Sequence, residues 1–298
     1  MIQLFVVFLV FLLTPYHTFA QDKIIVKAAH YPEGLFWDDR TNTLYYAEMP
    51  RDRVMRHKNN RQSVFFLNKG CGPTGIAPVG DKWAITCHIG RSLIIADHQG
   101  RFVEEIKTDN RGEALQNPND IVSFGGGVYL TDSGRFKPDA PASGAIFYWS
   151  PGHGMQRLIE GLHYANGVTI DARSPTLFVS EHLGRRILAF PIRGRGELGP
   201  PRTFANIANK LPLFEPLTGA DGLEFGPDGR LYAAIYGAGR IMVFEAGGTY
   251  LRSLARSETY LTTISFLRGE NALFAAGAFD NQKYPYSGNI MRINLGAD

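Results

Sequence analysis

Hydrophobic positions along this chain fall in short runs, each closed by a cluster of turn-forming residues. The clearest example begins Gly219-Ala220-Asp221-Gly222-Leu223-Glu224-Phe225, turns at Pro227-Asp228-Gly229, and resumes as Leu231-Tyr232-Ala233-Ala234. Pro presets φ and Gly accepts positive φ, so Pro-Asp-Gly between two apolar runs predicts a β-hairpin. The same phrase recurs along the chain. Asn166-Gly167-Val168-Thr169-Ile170-Asp171 is answered by Leu177-Phe178-Val179-Ser180, and Asn119-Asp120-Ile121-Val122 by Gly127-Val128-Tyr129-Leu130. Glu33-Gly34-Leu35-Phe36-Trp37 precedes Thr43-Leu44-Tyr45-Tyr46-Ala47, and Thr74-Gly75-Ile76-Ala77 precedes Trp83-Ala84-Ile85-Thr86. Thr263-Ile264-Ser265-Phe266 begins a last copy. The openers Glu33, Thr74, Asn119, Asn166, Asp221 and Thr263 are 41, 45, 47, 55 and 42 residues apart.

Units of about 40–50 residues, each with several short strands, are the mark of propeller blades. No long run of helical periodicity is present, which argues against a helical solenoid. A β-sandwich gives no reason for six phased copies. The pattern therefore predicts an all-β, six-bladed β-propeller, as a single domain over residues 21–298. Fourth strands are legible at Ser63–Phe66, Phe102–Glu105, Arg202–Ala205 and Tyr250–Arg252. The sixth unit ends at Leu295, too early for one. Lys23–Lys27 is a spare strand ahead of the first opener, and it is expected to complete the last blade and close the ring.

Composition narrows the picture further. A chain that is 44% hydrophobic and 20% charged is globular rather than disordered. Net charge is +3, and the densest basic stretch, Arg51 to Arg61, reads as a solvated strand edge. No nucleic-acid-binding motif accompanies it. Leu4 to Leu13 is an unbroken apolar run ending before a small residue at Ala20. It falls short of the about 20 residues that span a bilayer and reads as a signal peptide over residues 1–20. The mature chain is expected to be secreted or periplasmic, without stable membrane insertion. The two cysteines, Cys71 and Cys87, could pair in an oxidising compartment, though nothing in their spacing compels it.

In a propeller the innermost strands run in one direction around a central channel, so their openers converge on one mouth. The second strands return to that face. Glu48, His88, Asp132, His182 and Tyr236 should then rim a funnel whose floor carries Glu33, Asn119, Asn166 and Asp221. Two carboxylates and two amides brought together repel and desolvate unless a cation joins them. A hard divalent ion with oxygen ligands resolves this. A single polar opener would be read as a strand cap or a water-binding group; four phased copies favour a site. Trp37, Trp83, Tyr45, Tyr46, Phe65 and Phe66 read as blade packing. The long connection Ser133–Ser143 is a candidate lid bearing Arg135 and Lys137.

Pro32-Glu33-Gly34, Asn117-Pro118-Asn119-Asp120 with Tyr129-Leu130-Thr131-Asp132, Ala165-Asn166-Gly167, Ala220-Asp221-Gly222 with Gly239-Arg240-Ile241, and Thr262-Thr263 occur in this order. Together they resemble the gluconolactonase, regucalcin (senescence marker protein) and luciferin-regenerating enzyme family of six-bladed propellers. The resemblance covers essentially the whole mature chain. It implies that Glu33, Asn166 and Asp221 ligate one divalent metal, with Asn119 a fourth ligand or a substrate contact. Calcium is the expected ion, with zinc, manganese or magnesium as alternatives. Many members carry an Arg where this chain has Asn117, and that departure points to a less anionic substrate than a sugar-acid lactone. Asn117, Asn119, His88, Asp132, His182 and Tyr236 are the expected substrate contacts. The implied reaction is hydrolysis of a cyclic ester, with Asp221 as the catalytic residue that supplies or orients the attacking oxygen. A phosphotriesterase-like hydrolase and a non-catalytic calcium- or ligand-binding propeller are the alternatives. The only expected partner is a small-molecule substrate, with the chain a monomer or weak oligomer.

Overall fold

The computed structural model describes residues 22–211 and 215–296. The expected signal peptide at 1–20 lies outside the described residues. Each predicted opener lies within the first four residues of a strand, and that strand folds back on the next through a short turn. The chain opens with β1 (Lys23–His30). The first unit follows as β2 (Pro32–Asp38), β3 (Thr43–Glu48), β4 (Arg53–Lys58) and β5 (Arg61–Leu67). The second is β6 (Pro73–Val79), β7 (Lys82–Cys87), β8 (Ser92–Ala96) and β9 (Phe102–Ile106). The third is β10 (Pro118–Phe124), β11 (Gly127–Asp132), β12 (Gly144–Ser150) and β13 (Gly154–Leu162). In the fourth, β14 (Ala165–Asp171), β15 (Thr176–Glu181), β16 (Arg186–Gly194) and β18 (Arg202–Asn206) pair in order, with a two-residue β17 (Glu197–Leu198) folded back on β16. The fifth is β19 (Gly219–Phe225), β20 (Leu231–Tyr236), β21 (Arg240–Phe244) and β22 (Tyr250–Ala255). The sixth is β23 (Tyr260–Leu267), β24 (Ala272–Ala278) and β25 (Ser287–Asn294).

All ladders are antiparallel, and β1 pairs with β25 from Lys23 opposite Arg292 to His30 opposite Ser287. The spare N-terminal strand is thus the fourth strand of the sixth unit. A single bridge, Tyr236 to Tyr260, links the fifth and sixth sheets. β13 and β17 were not legible in the sequence. No α-helix occurs among the described residues, and no described helix is long and apolar enough to cross a membrane.

The first strands pack side by side in chain order, and β23 returns to pack on β2. The core follows the same circuit. One apolar cluster lies between each pair of successive units, such as Leu93, Leu130 and Phe147 between the second and third. Another sets Leu44 and Tyr46 of the first unit against Phe274 and Ile290 of the sixth. Between the first two units Phe65 meets Tyr45 and Trp83 edge-on while Tyr45 and Trp83 pack tilted, the packing role their positions predict. Cys71 and Cys87 form a disulfide, with Cα atoms 4.6 Å apart.

Candidate functional site

Every first-to-second strand ladder breaks its register at the opener. In four units two residues oppose one. Ladder pairing passes from Glu33 to Phe36, from Pro118 to Ile121, from Ala165 to Val168 and from Ala220 to Leu223. In the second and sixth units only one residue is left over, between Pro73 and Gly75 and between Leu261 and Thr263. A β-bulge turns its residues out of the ladder and re-aims their side chains. Asn119, Asn166 and Asp221 are each the first residue of a two-residue bulge, whereas Glu33 still pairs with Ala47 and the bulge that follows it is Gly34 and Leu35. Glycine after the opener lets neighbouring inner strands close up: a Cβ on Gly167 would lie 2.0 Å from the Asp221 carbonyl oxygen.

A second set of residues fixes these openers from the preceding unit. Thr86 Oγ1 donates to the Asn119 carbonyl, Thr131 Oγ1 to the Asn166 carbonyl at 2.6 Å, and Ser180 Oγ to the Asp221 carbonyl at 2.9 Å. Each strut comes from the penultimate residue of a second strand. The residue after it does a different job. Glu48 accepts from the His30 N–H at 3.0 Å, and Glu181 accepts from the His163 N–H at 2.8 Å. Asp132 accepts from the N–H groups of Gln116 and Asn117 at 2.7 and 2.8 Å. Each carboxylate therefore clamps the residue three before an opener. In the second unit the Cys71–Cys87 disulfide occupies the same two positions.

These clamps revise the expected rim. Glu48 and Asp132, both expected at the rim and Asp132 also as a substrate contact, turn into the backbone instead. Both are buried, and their oxygens are taken up by backbone N–H groups and, for Glu48, by Arg53. A buried carboxylate that already accepts these bonds gains nothing by turning to a substrate. His88 and Asn117 are tied together: His88 Nδ1 lies 3.2 Å from the Pro118 carbonyl, and the Asn117 amide reaches the His88 carbonyl at 3.4 Å. Burial pushes His88 down to about 4, so its ring is neutral at ordinary pH.

Glu33, Asn166 and Asp221 come together with Asp120 in a cluster of oxygens. Burial, then the charges of Asp221 and Asp120, hold Glu33 well above the usual carboxylate range, although Glu33 keeps some exposed surface. Burial and Asp120 likewise raise Asp221, against hydrogen bonds from the Asn166 amide and the Gly222 N–H. His182 Nε2 lies 3.0 Å from the Leu217 carbonyl, which only accepts, so Nε2 carries the proton. Nδ1 then accepts from Asn166 Nδ2 at 3.4 Å. This sets the Asn166 amide and leaves Oδ1 buried with no hydrogen-bond partner. Asn119 is oriented in the same way, its Nδ2 donating to Ser133 Oγ at 2.8 Å.

Carboxylate and amide oxygens of this kind are donors that a hard cation would take, and the orphaned Asn166 amide oxygen beside Asp221 fits that use. Among the described residues, no three His, Cys, Asp or Glu side chains are grouped to hold a metal, so any such site here depends on its amides. A cavity of about 890 Å³ lies elsewhere, at the hairpin-turn end of the inner strands, where aromatic residues such as Phe36, Trp37, Phe124, Phe225 and Phe266 and charged ones such as Arg40 and Arg268 line it together. It holds Asp120 and Glu224 but none of the four candidate ligands. The side chains that sequence reasoning missed (Thr86, Thr131, Ser180 and Glu181) do carry a signal: three second strands end as Thr86-Cys87, Thr131-Asp132 and Ser180-Glu181, a hydroxyl followed by cysteine or acid.

Comparison with known proteins follows the same outline. The family model described as SMP-30/Gluconolactonase/LRE-like region matches residues 31–275. Lactonase drp35 of Staphylococcus haemolyticus is 25% identical over 225 residues, covering 72% of this chain and 66% of that protein. Diisopropyl-fluorophosphatase of Loligo vulgaris is 25% identical over 168 residues, covering 52% of each. The chain thus spans about two thirds of the staphylococcal relative's length and half of the squid relative's. The solved structure of regucalcin, a calcium-binding protein from Agrobacterium tumefaciens, superposes with a TM-score of 0.76 at 17% identity, over 92% of this chain and 93% of that one. The match spans most of the chain and includes all six openers: this protein belongs to the SMP-30/gluconolactonase/LRE-like family.

Proposed function

We propose that this protein is a divalent-metal-dependent hydrolase of cyclic esters, with its site at one mouth of a closed six-bladed propeller. The circuit of inner-strand and core contacts, returning from the sixth unit to the first, supports the closed ring. One observation carries the functional reading: the buried, unpartnered Oδ1 of Asn166 beside two carboxylates raised by burial and by neighbouring negative charge. Glu33, Asn119, Asn166 and Asp221 are the ligands in this reading. Calcium is the first choice of ion because all four donors are oxygens. Bound there, the ion would polarise the ester carbonyl and stabilise the charge that develops on its oxygen. Asp221 takes the proton of the attacking water. His182, neutral because burial pushes it down to about 4, keeps the Asn166 amide in one orientation. The Cys71–Cys87 disulfide supports export to an oxidising compartment.

The test is a panel of lactones with added calcium, zinc, manganese or magnesium, read by proton release beside a chelated control. Activity should depend on metal, and Asp221→Asn should lower kcat by at least about a thousandfold with folding retained. Chelator-insensitive turnover would sink the metal-dependent mechanism. The squid relative favours a second reading, hydrolysis of phosphorus esters, so a phosphotriester panel runs alongside. Turnover of neither class would leave a ligand-binding protein.

A further inference from the structure

Aromatic side chains wall the oxygen cluster. The Phe136 ring, from the long connection between β11 and β12, lies 4.7 Å from Tyr164, 5.4 Å from His182 and 6.1 Å from Tyr236. Tyr164 and Tyr236 each stand 5.7 Å from His182, the residue that orients Asn166. Tyr31 closes the circuit, its hydroxyl donating to the Tyr236 hydroxyl at 3.0 Å. Glu33 and Asp221 act electrostatically on the phenols of Tyr31, Tyr164 and Tyr236 alike, as expected for rings beside both carboxylates. Phe136 itself is 38% exposed, a large apolar ring left on the surface over the cluster.

Backbone geometry gives an independent indication. Tyr31 and Tyr164 have φ of +46° and +64°, and each stands two residues before an opener. The left-handed region costs an L residue about 1–2 kcal/mol, and bulky side chains are rare there. Glycine would remove that cost, as Gly72 does at the same position of the second unit. Two tyrosines retained at one strained position in two repeats mark a use for the rings they display.

Polar recognition, by contrast, is sparse. The Tyr236 hydroxyl is engaged by Tyr31 and by Asn281 Nδ2 at 2.8 Å. The Asn117 amide is drawn back to the His88 carbonyl, and Arg135 is exposed. A polyhydroxylated or acidic substrate needs fixed hydrogen-bond partners for each group it buries. Resting on the hydrolase reading above, we propose that this site accepts uncharged lactones or esters with an aromatic or apolar substituent. The substituent packs against Phe136, Tyr164 and Tyr236, and sugar-type and acidic lactones are rejected.

The experiment holds ring size constant: δ-valerolactones bearing a phenyl or an alkyl chain at the δ carbon, beside glucono-δ-lactone, all with calcium. The phenyl compound should exceed the sugar lactone in kcat/KM by about 100-fold. Phe136→Ala should cut that preference about tenfold, mainly through KM, and Phe136→Leu should restore most of it. Glucono-δ-lactone turned over as well as the phenyl compound overturns the inference. Matched δ-lactams, phenyl-substituted and polyhydroxylated, are titrated calorimetrically into the calcium-loaded protein and report the preference without turnover. If no lactone is hydrolysed, the hydrolase reading fails while the lactams still decide this one. Tighter phenyl-lactam binding sustains it; equal affinities, or no phenyl-lactam binding, overturn it.

Discussion

In the second repeat Cys71 is bonded to Cys87, Gly72 turns left-handed, and Thr74 opens the inner strand. In the fourth, Glu181 holds the His163 N–H, Tyr164 turns left-handed, and Asn166 opens the strand. The turn is the same, but its closure and contents differ. The second repeat closes it covalently and gives it no side chain; a Cβ on Gly72 would lie 2.3 Å from Ile89 Cγ1. The fourth closes it with a hydrogen-bonded carboxylate and keeps an aromatic ring in a conformation that opposes it. The bulges differ in the same sense: a single leftover residue in the second repeat, two against one in the fourth. One repeat is scaffold. The other uses the same frame to aim Asn166 and display Tyr164.

The largest effect should come from exchanging the two closures. Replacing Cys71 and Cys87 together by Ser removes a cross-link over 16 residues and should cost about 3 kcal/mol in chemical denaturation. Calcium affinity should change by less than about threefold, because the second repeat's own opener, Thr74, is not a ligand in this reading and the Thr86 strut to Asn119 does not depend on the cross-link. Glu181→Gln weakens a clamp that also meets Arg186 and should cost about 2 kcal/mol. It should also weaken calcium binding by about tenfold, since it loosens the turn leading to Asn166. Equal losses of calcium affinity in both variants would erase the distinction between scaffold and site repeats.

The sequence showed one half of this arrangement and concealed the other. The openers, the phase of the repeats and the spare strand Lys23–Lys27 were legible because β-pairing and turns have short-range signatures. The clamps were not. Glu48, Asp132 and Glu181 end their strands as any rim acid would, and their partner N–H groups lie 15 to 18 residues upstream. The positive φ of Tyr31 and Tyr164 is equally silent in the sequence, because tyrosine does not advertise left-handed backbone as Gly or Asn does. β13 was hidden for another reason: Gly154 to Leu162 alternates weakly and begins on glycine.

A pH series sharpens the comparison next. Three residues beyond the opener, the second repeat has Ala77 and the fifth has Glu224. Burial pushes Glu224 up to about 8, partly opposed by the Phe266 N–H that it accepts at 3.0 Å. Its unfolded value is near 4.3, so between about pH 4.3 and 8 the folded chain holds a proton that the unfolded chain has released. Stability is therefore greatest below that window and falls as pH rises through it. Allowing for partial exposure, the loss should be on the order of 2 kcal/mol in calcium-free protein between pH 5 and 8. Glu224→Gln should flatten this part of the melting-temperature profile while changing stability little at pH 5. A slope untouched by the substitution would show that the carboxyl titrates alike in the folded and unfolded chains.

The smallest expected change in stability is the most discriminating test. Tyr164→Gly gives the fourth repeat the residue type that the second already has at this position. Relief of left-handed strain should return about 1–2 kcal/mol. Glycine adds freedom to the unfolded chain, worth about 0.5–1 kcal/mol, and the lost contacts with Phe136 and His182 cost about as much again. The sum should lie within about 1 kcal/mol of zero, visible as an almost unmoved denaturation midpoint. Affinity for the phenyl-substituted lactam should fall by about tenfold all the same, because the ring that the strain displays is gone. A residue whose removal leaves the fold unmoved but weakens apolar binding is held in place for its surface. If Tyr164→Gly instead unfolds by 3 kcal/mol more readily, the ring is a packing element, and the two repeats differ in filling rather than in purpose.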